Sequence, residues 1–63
     1  MIQGLVVAWD GEREVIQPFQ GTIGYAERLV SAMVYEQQFH HCIVCSEFTG
    51  YVWAEQHSWE TLK

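Results

Sequence analysis

From Ile2 to Trp9 the chain is almost continuously apolar, with Leu5, Val6 and Val7 at its centre and Gly4 breaking the run. A short run rich in such residues predicts a strand. Asp10-Gly11 follows, a pair that tolerates positive φ and predicts a hairpin turn. Arg13 to Phe19 returns as a second strand. Pro18 has no backbone donor, so this strand is expected to lie at an edge or to end there. Gln20-Gly21-Thr22 is a break, and Thr22 is placed to cap a helix with its side-chain oxygen. From Ile23 to about Gln37, Ala26, Leu29, Val30 and Met33 recur at three- and four-residue spacing and build one apolar helix face. Phe39 to Phe48 then alternates. Phe39, His41, Ile43, Cys45 and Glu47 share one face, and His40, Cys42, Val44, Ser46 and Phe48 share the other. Thr49-Gly50 predicts a turn, and Tyr51 to about Gln56 a last strand. His57 to Lys63 forms a tail that Trp59 can pin to the core.

The expected order is β-β-α-β-β. This is an α+β fold in which one helix packs on one face of an antiparallel sheet. One face of such a sheet is covered and the other is wet. Function is expected on that open face and on the outer face of the helix. The chain has 63 residues, enough for a single small domain, 1–63, which buries roughly 60% of its unfolded surface. Hydrophobic residues make up 49% of it, including three each of Trp, Tyr and Phe. That excludes a disordered chain and gives a small core large side chains to bury.

Charge narrows the partners. The formal net charge is −5, with only Arg13, Arg28 and Lys63 basic. A basic groove for nucleic acid is therefore not expected, because phosphate binding needs clustered Lys and Arg. An acidic protein suits a basic surface on a partner instead. No run is long enough to cross a membrane. Met1-Ile2-Gln3 does not open a signal peptide. Two cysteines without such a signal suggest reduced thiols in the cytoplasm of a host cell.

Cys42-Ile43-Val44-Cys45 has the spacing of a metal or redox pair. Zinc ligation, at about 2.3 Å from each sulfur, needs both on one side of a turn. Residues three apart in a strand point to opposite faces, so the pair is expected to pack as small hydrophobes. His41, Cys45 and His57 could converge if the last strand pairs directly with the one before it, but they lack a fourth ligand. The chain is read as carrying no cofactor and no structural metal. It contains no phosphate-binding glycine loop, no HExxH and no nucleophile elbow, and is read as a non-enzyme. Two clusters are candidate contact surfaces. One is the acidic turn of Asp10, Glu12 and Glu14, which could meet lysines and arginines. The other is Tyr25, Arg28 and Tyr35 on the helix, residue types that anchor protein interfaces.

Glu36-Gln37-Gln38-Phe39-His40, the Ile43-Val44 strand, Gly50, Ala54 and the late Trp59 resemble one family of small type I-F anti-CRISPR proteins. The resemblance covers roughly the C-terminal 40 residues and is carried by short motifs. Two features depart from it: Trp53 falls one position late after Gly50, and this chain is the more acidic. The resemblance implies a compact α+β inhibitor that binds an RNA-guided surveillance complex and disturbs DNA recognition. The expected function is thus a phage or prophage inhibitor whose partner is a host protein complex containing Cas proteins. No direct nucleic-acid or membrane contact is expected, and a homodimer is possible through the open sheet face. A small phage inhibitor of host RNA polymerase is the first alternative. A zinc-binding regulatory module using Cys42, Cys45 and histidines is the second.

Overall fold

The computed structural model describes residues 1–58. Strands β1 (Ile2–Trp9), β2 (Glu14–Gly21), β3 (His41–Cys45) and β4 (Val52–His57) surround helix α1 (Ile23–Tyr35) in the chain order β1-β2-α1-β3-β4. The sheet is antiparallel, with spatial order β2-β1-β3-β4. The expected α+β fold with one helix on the sheet is the fold observed. Trp59, read as a closing anchor, lies outside the described residues.

Pairing register sorts the side chains into two faces, because residues directly opposite share a face. Val6 stands opposite Val44, which stands opposite Ala54, and Ala8 stands opposite Cys42. This set faces α1. Together with Phe19 and with Ala26, Val30, Met33 and Val34 of the helix it forms the buried core. Val44 and Cys42 are completely buried at its centre. Each fully buried Val or Met contributes about 1.5–3 kcal/mol relative to exposure. Leu29, expected among the core residues, is only half-buried and packs at the margin, while Val34 is buried. The helical stripe is therefore rotated slightly from the one read in the sequence.

Local chemistry sets the boundaries. Thr22 caps α1 as expected, its hydroxyl accepting the Tyr25 N–H at 3.0 Å. The helix ends at Tyr35, two residues before the expected end. The Gln37 N–H returns to the Ala32 carbonyl at 3.2 Å, one residue further back than the helical bond. Gln38 then takes a left-handed backbone, φ 62°, and the Phe39 N–H closes on Met33 O at 3.0 Å. Strand β3 is shorter than the alternating run. Ser46 stops it by accepting the N–H groups of Phe48 and Thr49, each at 3.2 Å, a competition that serine side chains offer to strand ladders. The first hairpin closes through a four-residue loop, 10–13, since Trp9 pairs with Glu14, one residue after the expected start of β2. Pro18 sits within β2, which is indeed an edge strand.

A bulge interrupts β3 and β4, where Val44 faces Ala54 and Cys45 faces Val52. The extra residue, Trp53, packs against the core. It covers Gly4, and a β-carbon there would collide with the Cys45 carbonyl and come within 2.7 Å of the Trp53 ring. Gly4→Val is therefore expected to push β3 away at Cys45 as well as displace Trp53, and to destabilise by about 1–3 kcal/mol or more. Met33→Ala is expected to lose about 2–5 kcal/mol, and Leu29→Ala distinctly less. Urea unfolding of the three variants checks this order.

Candidate functional site

Among the described residues, no element packs on the face away from α1. Along it run Leu5, Val7 and Trp9 of β1, each opposite a residue of both neighbours. Leu5 faces Pro18 and Cys45, Val7 faces Ile16 and Ile43, and Trp9 faces Glu14 and His41. Val52 extends the first row, Glu55 the second and His57 the third. A half-wet antiparallel sheet ordinarily alternates apolar-in with polar-out. Here β1 is apolar on both faces. Ile16 is 55% exposed, and Trp9 and Val52 are each 41% exposed. A contiguous exposed apolar patch with a polar rim marks an interaction surface.

One corner of this face is polar. His41 stands directly opposite His57, and Glu55 lies one row away on the same side. Glu55 Oε2 is 3.0 Å from His41 Nε2 and 3.3 Å from His57 Nε2. The two imidazoles stack with centroids 4.1 Å apart and planes 9° from parallel. The hydrogen bond from His41, helped by the charge of His57, holds the Glu55 carboxyl below the usual carboxylate range. Donor atoms of the three side chains lie within 4.8 Å of one another, close enough to share a metal ion. The sequence brought His41 and His57 together correctly, with β4 paired directly on β3. It named Cys45 as the third member, whereas the third member here is Glu55. The signal for Glu55 is its two-residue spacing from His57, which places both on one strand face.

The cysteines separate as strand geometry requires. Cys42 is buried, its Sγ 3.7 Å from Met33 Sδ, and burial pushes its thiol up to about 11. A thiol so protonated is a poor nucleophile and a poor ligand. Cys45 points to the open face, beside Leu5 and Val52. His40 serves the hairpin: its N–H donates to Trp9 O at 2.7 Å, and its ring would lie 2.7 Å from a β-carbon at Gly11, which has φ +101°.

The expected contact residues fall in two places. Asp10 turns inward to its own loop, accepting the N–H groups of Glu12 and Arg13 at 2.8 and 2.9 Å. The Arg13 N–H, and then that of Glu12, hold its carboxyl below the usual range. Glu12 and Glu14 are exposed at the same end of the sheet as Trp9. Arg28 and Tyr35 line a shallow depression on α1 with Glu27, Ser31, Ala32 and Glu36. The Tyr35 hydroxyl accepts from Gln56 Nε2 at 2.8 Å. Tyr25 sits in the first helical turn and stacks on Phe19, with centroids 5.8 Å apart. The residues that sequence reasoning missed are Leu5, Val7, Trp9, Ile16 and Ile43. Their signal was a first strand with no polar alternation.

The depressed Glu55 carboxyl stabilises the folded state above the ordinary Glu value of about 4.3. That contribution fades as pH falls through the lower folded value, and it is small because Glu55 is half exposed. In carboxyl-carbon NMR titrations, Glu55 is expected to titrate below an ordinary Glu and to move back toward it in His41→Ala. An unchanged midpoint in that variant contradicts the assigned cause.

No family model matches this chain, and neither a curated protein nor a solved structure matches it.

Proposed function

We propose that this protein is a non-enzymatic inhibitor that works by covering a macromolecular partner, with the open face of the sheet as its contact surface. The observation that carries the reading is the apolar patch of Leu5, Val7, Trp9, Ile16 and Ile43 on a face that no element among the described residues covers. Glu12, Glu14, Glu47 and Glu55 are exposed residues of the sheet and its adjoining loops. Among the described residues the arginines are Arg13, in the hairpin loop, and Arg28, on the helix. A surface of this kind suits a partner with an apolar centre and a lysine- or arginine-rich rim. Proteins that grip nucleic acid carry such rims. The inhibitor then competes with nucleic acid for that rim, and electrostatic complementarity speeds and orients the encounter. A second copy of this chain suits the face less well, because pairing would bring two acidic proteins together, each with a net charge of −5.

The C-terminal resemblance to type I-F anti-CRISPR proteins supports a more specific partner, a CRISPR surveillance complex whose DNA-guiding lysines are covered. Glu12 and Glu14 of the expected acidic cluster belong to this contact. Asp10 supports them by holding the loop. Tyr25, Arg28 and Tyr35 form a separate surface on α1.

The test is binding of the full chain to purified type I-F surveillance complex, with displacement of target DNA as readout. Ile16→Lys is the informative variant, since lysine is tolerated on an edge strand and would face the basic rim. It is expected to weaken binding by about 1–2 kcal/mol, roughly tenfold, while Arg28→Ala and Tyr35→Ala leave binding unchanged. Loss in the helix variants alone would move the contact to α1. Failure to bind the complex, with tight binding to RNA polymerase instead, would make the protein a transcription inhibitor.

A further inference from the structure

We propose that His41, His57 and Glu55 form a solvent-facing site for a divalent first-row transition ion such as zinc. The site does not depend on the inhibitor reading. It arises from the register of β3 and β4. The pair His41–His57 and the pair Ile43–Glu55 are successive rows on the same face, so three ligating side chains converge at one corner. Imidazole and carboxylate together suit zinc and its neighbours in the first transition row. Calcium and magnesium prefer oxygen ligands throughout.

The distances are close to those an ion imposes. Around a tetrahedral zinc with bonds of about 2.0–2.1 Å, neighbouring donor atoms stand about 3.4 Å apart. Glu55 Oε2 is already 3.0 Å from one histidine nitrogen and 3.3 Å from the other. The remaining separation, between the two histidine nitrogens, is within 4.8 Å. The rings lie 9° from parallel, so they must splay for both lone pairs to point at one ion. Their side chains are 36% and 43% exposed, which leaves room for that rotation without disturbing the core. An ion here would replace the contacts in which one carboxylate oxygen serves both rings. Three protein ligands leave a fourth position directed to solvent, where water or a donor from a bound partner completes the shell.

Cys42 and Cys45 take no part. One is buried under the helix, and the other stands two rows from the histidine pair. This separates the site from the CxxC reading of the same window.

The test uses zinc alone with the full chain. In histidine-selective NMR, the ring signals of His41 and His57 are expected to shift together as one equivalent is added, with those of His40 unchanged. Calorimetry is expected to give one site. Loss of a supporting group around a metal weakens binding about 10–100-fold, so His41→Ala and His57→Ala, which lose a ligand outright, are expected to weaken it roughly tenfold or more. Cys42→Ser and Cys45→Ser are expected to bind zinc as the natural chain does. The proposal is overturned if the natural chain shows no zinc-dependent shift at these rings in several-fold excess of metal. It is also overturned if binding survives in the folded His41→Ala/His57→Ala double variant, or disappears in Cys45→Ser.

Discussion

A single helix can cover only one face of a four-stranded sheet, and among the described residues there is no second helix. The packing of Ala26, Val30, Met33 and Val34 onto Val6, Ala8, Cys42, Val44 and Ala54 is the contact on which the rest of the molecule depends. Small residues permit it. Ala8, Ala26 and Ala54 keep this core thin, the helix lying closest to β3 and β4, and Gly4 leaves room for the bulged Trp53. With that face chosen, the two-residue period of the strands determines the other. Leu5, Val7, Ile43 and Cys45 are turned outward as surely as Val6, Ala8, Cys42 and Val44 are turned inward. The apolar outer face is thus a direct consequence of a first strand that is apolar at every central position.

The same period distributes the chemistry. It splits Cys42 from Cys45, so a motif that looks bidentate in the sequence cannot act as one. It gathers His41, Glu55 and His57, which are spread over two strands. Burial then differentiates the groups. Cys42 is held as a neutral thiol in the core, whereas Glu55 is held as a carboxylate by its histidine partners. His41, Glu55 and His57 therefore collect at one outward corner beside Trp9, next to the apolar patch rather than within the core.

Much of the fold was legible. The bounds of β1, the Thr22 cap, the edge position of β2 and the alternation of β3 follow from local patterns with strong physical causes. Leu29 was misplaced because Val34 lies just as close to the apolar stripe, and only packing against the sheet decides between them. The ends of α1 and β3 were overrun because Gln38 and Ser46 stop them through backbone and side-chain hydrogen bonds that have weak sequence signatures. The histidine corner was half legible. Pairing His41 with His57 needed only adjacent strands, but choosing Glu55 over Cys45 needed the register, and a bulge at Val44–Cys45 sets that register. The open face was expected to carry function, but its apolar residues do not stand out in the sequence as charged and tyrosine side chains do; their signal is the missing alternation in β1.

In the proposed function this sheet face, uncovered by the described residues, is exposed in the free protein and becomes covered by the partner. Methyl NMR with a soluble paramagnetic agent measures it directly. In the free chain the methyls of Val7, Ile16 and Ile43 are expected to relax strongly, while those of Val6, Val30 and Val44 stay protected. On adding the surveillance complex, the first set is expected to become protected as well. Equal protection of both sets in the free protein, or continued exposure of Ile16 and Val7 in the complex, would contradict the account.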